Sequence, residues 1–224
     1  MKKLSIVVPV FNKVGFTSTC LKDLSQLPEE THQLIFVDNG STDNTQELLK
    51  DNKRITYIRN EINQGFAKAC NWGYSVATAP NIMFLNNDIK VRNNHQDWTA
   101  AILEHCDNYL VGPTMGQLDE QLNFKQEANK ELFGNSYMSG WCISSSRKNW
   151  NKLIKTNDGP FSEDFFCYFE DTDLSFQAKQ LGIPFKVVEI PVVHFGKQSS
   201  SQLNTHKLYT EARQIFLKKW GQKK

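Results

Sequence analysis

The 224-residue chain has room for one generous domain or two small ones, and its 39% hydrophobic and 22% charged residues exclude a largely disordered chain. A formal net charge of +2 is too small to make nucleic acid an expected partner. The five cysteines, Cys20, Cys70, Cys106, Cys142 and Cys167, contain no C-x-x-C pair, so free thiols in a reducing compartment are expected instead of a zinc site or a disulfide framework.

In chain order, Leu4–Val10 is continuously apolar and rich in β-branched residues, the pattern of a strand buried on both faces. The apolar run to Phe11 is interrupted by Pro9 and is too short for a signal-peptide core. A helix is predicted over Gly15–Leu27, a strand over Gln33–Val37, and a helix over Gln46–Lys50 capped by Ser41 or Thr42. A strand at Ile55–Arg59, a helix at Phe66–Ala77 and a strand at Asn81–Leu85 complete the first half. This alternation predicts an α/β fold, a mostly parallel sheet with helices on both faces. The second half is less regular. It holds a predicted helix at Asp97–Cys106, short strands between Val111 and Ser146 (one at Trp141–Ser145), a helix over Phe169–Leu181, a strand over Phe185–Val193 and a basic amphipathic helix over Leu208–Trp220. No segment approaches the roughly 20 apolar residues of a membrane span, so a soluble protein is expected.

Ligands of open parallel sheets bind at the carboxyl ends of the strands. Four polar clusters fall there: Pro9–Asn12, Asp38–Asp43, Asn60–Phe66 and Asn86–Asp88. Each taken alone is ordinary punctuation: Asn39–Asp43 reads equally as a turn with a helix cap, Asn63–Phe66 as a turn, and Asn86–Asp88 as a loop with one solvated acid. Together, on consecutive strands, they suggest a polar ligand of some size. A second acidic group, Glu170, Asp171 and Asp173, opens a helix, where pairing with the helix dipole accounts well for Asp173. That account does not explain the crowding of Phe165, Phe166, Tyr168 and Phe169 beside it, surroundings that would dehydrate an acid and raise its pKa toward that of a general base. His194 ends an apolar strand, and with Asp88 it would give a mixed nitrogen and oxygen donor pair for a divalent ion. A structural histidine is the plainer alternative.

The stretches SIVVPVFN (5–12), VDNGSTD (37–43), NEINQGF (60–66), FLNND (84–88), FEDTD (169–173) and HFG (194–196) stand in the order found in the family 2 glycosyltransferases of GT-A fold. The chain resembles that family over about residues 4–200, and looks most like its rhamnosyltransferase and galactofuranosyltransferase branch. The resemblance implies an inverting transfer from a UDP- or dTDP-linked sugar to an acceptor hydroxyl. It implies Pro9 and Phe11 against the base, Asp38 on the pyrimidine N–H, and Asn63, Gly65, Asn86 and Asn87 around the nucleotide. Asp88 matches the last acid of the family's D-x-D motif, whose first position is Asn86 here. With His194 it would hold Mn2+ or Mg2+, and Lys197 would assist the departing diphosphate. Asp171 matches the catalytic base, with Glu170 beside it on the acceptor side and Trp141 contributing an aromatic face to the acceptor.

One domain is expected over residues 1–224: a nucleotide-sugar half (1–96), an acceptor and catalytic half (97–204) and the basic helix (205–224). A cytoplasmic location follows, peripheral to the membrane at most. The tail helix would meet an anionic membrane, pack on its own domain or join a partner subunit in a homo-oligomer. Acceptors consistent with the sequence are a carbohydrate, a lipid-linked glycan or a protein, with surface polysaccharide assembly the expected setting. A non-catalytic nucleotide- or sugar-binding module is the main rival. A dinucleotide-dependent oxidoreductase is disfavoured because no G-x-G-x-x-G follows the first strand.

Overall fold

The computed structural model describes residues 1–92, 97–154, 159–196 and 204–221. Its centre is a seven-stranded sheet in the order β11-β6-β10-β4-β1-β2-β3. The nucleotide-type half supplies β1 (Leu4–Val10), β2 (His32–Asn39), β3 (Ile55–Asn60) and β4 (Asn81–Leu85). These four strands pair in parallel, with Leu4 opposite both His32 and Asn81. The other half adds β6 (Leu110–Gly112), β10 (Cys142–Ser146) and β11 (Phe185–Val187). β10 runs antiparallel to β4 and β6, while β11 is parallel to β6.

Alternation along β1 explains the two layers. Leu4, Ile6, Val8 and Val10 face α1 (Val14–Leu24) through Cys20, Leu21 and Leu24. Val7 faces the opposite side, where it joins α3 (Phe66–Val76), α5 (Arg147–Ile154) and α6 (Glu170–Gln180) through Ala67, Cys70, Trp150 and Leu174. A strand buried on both faces cannot alternate apolar with polar residues, which is why this run read as a core strand. The remaining helices α2 (Thr45–Leu49) and α4 (Ala100–Leu103) are short. Two small antiparallel sheets complete the fold: β5 (Ile89–Val91) with β12 (Val192–His194), and β7 (Met115–Leu118) between β8 (Phe124–Ala128) and β9 (Ser136–Met138). α7 (Thr205–Trp220) packs Ala212, Phe216 and Trp220 against Leu118, Leu122, Phe165 and Phe169.

Several expectations are corrected. The strand over Phe185–Val193 is two strands in different sheets, because Pro191 and the preceding turn break the run. The helix over Asp97–Cys106 is a single turn at Ala100–Leu103. α5 was missed, since Arg147–Ile154 carries little apolar content by which to announce itself. Ser41 and Thr42 do not cap α2. Instead Asp43 Oδ1 accepts from the Thr45 N–H at 3.1 Å, and its Oδ2 accepts from Val14 N at 2.9 Å, so one acid serves two helix starts. All five cysteines are free, as expected.

Candidate active site

The parallel strands end at one edge of the sheet, and there a cavity of about 370 Å³ opens. Pro9, Val10 and Phe11 line it from the end of β1, Asn39 from β2, and Asn86, Asn87 and Asp88 from the end of β4. β10 runs antiparallel and begins where β4 stops, with Cys142 opposite Leu85. Trp141 and Gly140, which precede it, therefore reach the same edge, as do Glu170 and Asp171 at the start of α6 and His194 at the end of β12. Asp88 and Asp171, 83 positions apart in the chain, line one cavity.

The side built from the ends of β1, β2 and β3 is a lattice of amides. Asn39 Nδ2 donates to Asn63 Oδ1 at 2.8 Å and to the Gly65 carbonyl at 3.0 Å, while its Oδ1 accepts from Asn60 Nδ2 and from Gln64 N. Asn12, in the left-handed region at φ 54°, accepts from the Thr42 backbone N–H through Oδ1 and donates its own N–H to Ser41 Oγ. These bonds fix the loops after β1, β2 and β3 against one another. Gly65 is needed for two reasons. Its φ is 92°, and a Cβ there would lie 2.6 Å from the Phe166 carbonyl oxygen. That carbonyl accepts from Phe66 N at 2.7 Å, which docks the Phe165–Tyr168 segment onto α3.

Not every expected nucleotide residue faces the cavity. Asp38 is fully buried behind it; Oδ1 accepts from Ser41 N at 2.9 Å and Oδ2 from the Tyr57 hydroxyl at 2.9 Å and from Arg59. Gly65 shapes the wall without lining it. Asn87 lines the cavity yet donates from Nδ2 to Thr17 Oγ1 on α1 at 3.0 Å, tying the β4 end to that helix. Asn39, Asn12 and Phe166 carry more of the geometry than the sequence patterns suggested. For Asn12 and Asn39 the signal was membership in the motif runs, and for Phe166 it was the aromatic crowding beside the acids.

Asp88 and His194 meet. Asp88 Oδ1 lies 3.1 Å from His194 Nε2, and Asn86 Nδ2 lies 3.4 Å from the same nitrogen. Asn86 Oδ1 is buried and has no hydrogen-bond partner among the described residues. Asp88 and His194 bring a carboxylate and an imidazole together, a mixed oxygen and nitrogen pair of the kind that fits Mn2+ or Mg2+. Among the described residues, no three His, Cys, Asp or Glu side chains gather at one point, so the protein alone offers only part of a coordination shell. Trp141 stacks on the His194 ring at 4.8 Å and 9°, donates from Nε1 to Thr114 Oγ1 at 2.7 Å, and accepts from Asn86 N through its carbonyl at 2.8 Å. One of its faces is thus occupied by His194. Lys197 lies outside the described residues.

At the start of α6, Asp171 Oδ2 accepts from Gly140 N at 2.8 Å and Oδ1 from Thr172 N at 2.6 Å. A Cβ on Gly140 would sit 3.0 Å from Asp171 Oδ2, a tight contact that would push the carboxylate aside by a few tenths of an ångström. Glu170 is 8% exposed, and its Oε2 has no hydrogen-bond partner among the described residues. Burial, then the adjacent Asp171 charge, raises the Glu170 pKa; burial also raises that of Asp171 against the hydrogen bonds that lower it. Tyr168 and Phe169, both in the left-handed region, turn the chain into α6. Beyond them Glu127, held by Ser139 Oγ at 2.5 Å, extends the acidic wall; its place at the rim was not foreseen.

The profile of Glycosyl transferase family 2 matches residues 5–157. The chain belongs to this family. Among curated relatives, an uncharacterized glycosyltransferase of Rickettsia conorii is 33% identical over 134 residues, which cover 58% of this chain and 22% of that protein. The poly(ribitol-phosphate) beta-glucosyltransferase of Bacillus spizizenii is 32% identical over 93 residues, 38% of this chain and 15% of the relative. The chain spans only 19% to 32% of the length of the first three curated relatives it matches. In structure it is similar to TarS of S. aureus in complex with UDP-GlcNAc (TM-score 0.61, 22% identity, 95% of this chain and 65% of that one). It is also similar to a mannosyltransferase of Pyrobaculum calidifontis in complex with GDP-Man and Mn2+ (TM-score 0.61, 15% identity, 83% and 54%). The central, mostly parallel sheet flanked by helices is the GT-A fold that these neighbours share.

Proposed function

We propose that this family 2 member is an inverting glycosyltransferase that moves a sugar from a UDP- or dTDP-linked donor to an acceptor hydroxyl, with Asp171 as general base. The observation that carries this reading is that two carboxylates far apart in the chain, Asp88 just after β4 and Asp171 at the start of α6, line one cavity. A single displacement needs its leaving-group stabiliser and its base on opposite faces of the sugar. The base and diphosphate fit between Pro9, Phe11, Asn39 and Asn63 on one side and Asn86–Asp88 on the other, with Asp38 acting from behind the loop that it orders. Asp88, His194 and Asn86 would hold Mn2+ or Mg2+, which when bound neutralises charge building on the diphosphate.

Asp171 accepts the proton of the acceptor hydroxyl as that oxygen attacks the anomeric carbon. Glu170, with an unpartnered oxygen and a raised pKa, hydrogen-bonds the acceptor beside it. One face of Trp141 supports His194, so at most its other face and its edge serve the acceptor side. A carbohydrate or lipid-linked acceptor in surface polysaccharide assembly fits best, in keeping with the polymer-directed names among the relatives. For the rhamnosyl- or galactofuranosyl-type branch, the late His-x-Gly and the Val-Asp-Asn-Gly-Ser run are the support. The apolar stripe of α7 is spent on its own domain, which favours packing over membrane insertion for that helix.

The test is a thermal-shift panel of nucleotide sugars with and without Mn2+, followed by transfer assays with the donor that binds. Bound donor stabilises the fold in proportion to its occupancy. Donor-dependent stabilisation with no transfer or donor hydrolysis under any acceptor would favour a non-catalytic binding module instead.

A further inference from the structure

We infer that α7 completes the catalytic centre: Lys219 and Trp220 act as positioning residues that hold the first turn of α6, and with it Glu170 and Asp171, in place. The inference rests on the reading of Asp171 as base. It starts from Asp173, which has no exposed surface and stands two residues beyond Asp171. An acid in the first turn of a helix ordinarily meets that helix's own N–H groups or water. The Asp173 carboxylate instead reaches α7. Its Oδ1 accepts from Trp220 Nε1 at 2.7 Å, and Lys219 Nζ lies 2.8 Å from Oδ1 and 2.9 Å from Oδ2. Gln177 Nε2 donates to Oδ2 at 2.6 Å.

A second set of contacts acts on the turn just before the acids. Tyr168 and Phe169 hold φ of 72° and 64°, a conformation unfavourable for L-residues that persists only where the surroundings impose it. α7 supplies those surroundings. The Tyr209 ring lies 5.9 Å from Tyr168 and 5.3 Å from Phe169, and Phe216 lies 5.0 Å from Phe169. Asp173 N donates to the Phe169 carbonyl at 2.8 Å, joining the strained turn to the anchored carboxylate. Burial of Ala212 and Phe216 would keep α7 attached without any ion pair. Removing one partner of such a pair strands the other's buried charge, so the melting temperature is measured beside the rate. The catalytic acids lie between the two anchors of α7.

The test compares Lys219→Met, Lys219→Arg, Trp220→Phe and, as a reference, Asp171→Asn in the full chain. Melting temperature, UDP affinity in the presence of Mn2+, donor KM and kcat are measured, together with the 13C carboxyl titrations of Glu170 and Asp171. Lys219→Met and Trp220→Phe are expected to lower kcat at least tenfold and to move the carboxyl titrations, with donor KM and UDP affinity within twofold of the parent. Lys219→Arg should recover most of the rate. Wild-type kcat in both Lys219→Met and Trp220→Phe would overturn the inference, as would parallel loss of UDP affinity and kcat, the mark of general loosening. If Lys219→Met does not fold, Trp220→Phe, which keeps a ring and removes only the donor, decides. Near-normal transfer by Asp171→Asn would end the base reading itself, whereas an inactive Asp171→Asn beside fully active α7 variants would end only the role given to α7.

Discussion

The two walls of the cavity are built by different means. The wall proposed for the nucleotide comes from short runs at the ends of neighbouring parallel strands, cross-linked by Asn12, Asn39, Asn60 and Asn63. Each run is continuous in sequence, and its partners are set by strand order. The wall proposed for catalysis is assembled from Gly140, Trp141, Glu170 and Asp171, carried by separate elements and held by a backbone N–H and a distant helix. The nucleotide wall is thus a property of the sheet, while the catalytic wall is a property of tertiary packing. Substitutions should therefore separate binding from turnover according to the wall they touch.

The largest separation is expected from Asp171→Asn. Loss of a general base should lower kcat by about 10² to 10⁴-fold, with nucleotide affinity by calorimetry unchanged. Transfer within a fewfold of the parent would remove the distinction between the walls. Gly140→Ala comes next: its Cβ would press on Asp171 Oδ2, and we expect roughly a tenfold loss of kcat, of order 1.4 kcal/mol in the barrier, again without loss of nucleotide affinity. Asn39→Ala should behave in the opposite way. It strands the amides of Asn60 and Asn63, costs about 1–3 kcal/mol of stability, and weakens UDP binding more than it lowers kcat, as calorimetry and denaturant titration would show.

The smallest effect is electrostatic. Glu170 and Asp171 have pKa values above those of an unfolded chain, so the native state holds protons that the unfolded state releases. Stability from this pair is present below the ordinary carboxylate range and declines as pH rises toward the raised values. Glu170→Gln should flatten that decline, raising the melting temperature at pH 8 relative to the parent and changing it little at pH 4. An unchanged pH dependence would show that the pair is better solvated than its burial indicates.

Much of this was legible beforehand. Strands β1 and β4 fell where periodicity put them, since a strand buried on both faces has a composition that no surface element shares. The polar clusters at strand ends were legible for a related reason: nothing but a turn or a ligand explains polar runs there. Residues outside strand-and-helix periodicity were not. Arg147–Ile154 forms a helix through the packing of Trp150 and Leu153 on the sheet, not through local apolar content. Phe185–Val193 looks uniform as a string yet serves two sheets. Asp173 looked like an ordinary helix-start acid, and only α7, arriving 46 positions later, gave its carboxylate an ion-pair partner.

By itself, the order of residues determined the family, the parallel sheet and the candidate acids, because hydrophobic period and motif runs are local properties. Tertiary structure decided which groups share a cavity: that Asp38 stands behind it, that Trp141 supports His194, and that α7 anchors the turn bearing the acids. These outcomes depend on where an antiparallel strand begins and on which helix covers which face. Such long-range juxtapositions are set by the packing of the whole chain, and no window of sequence contains them.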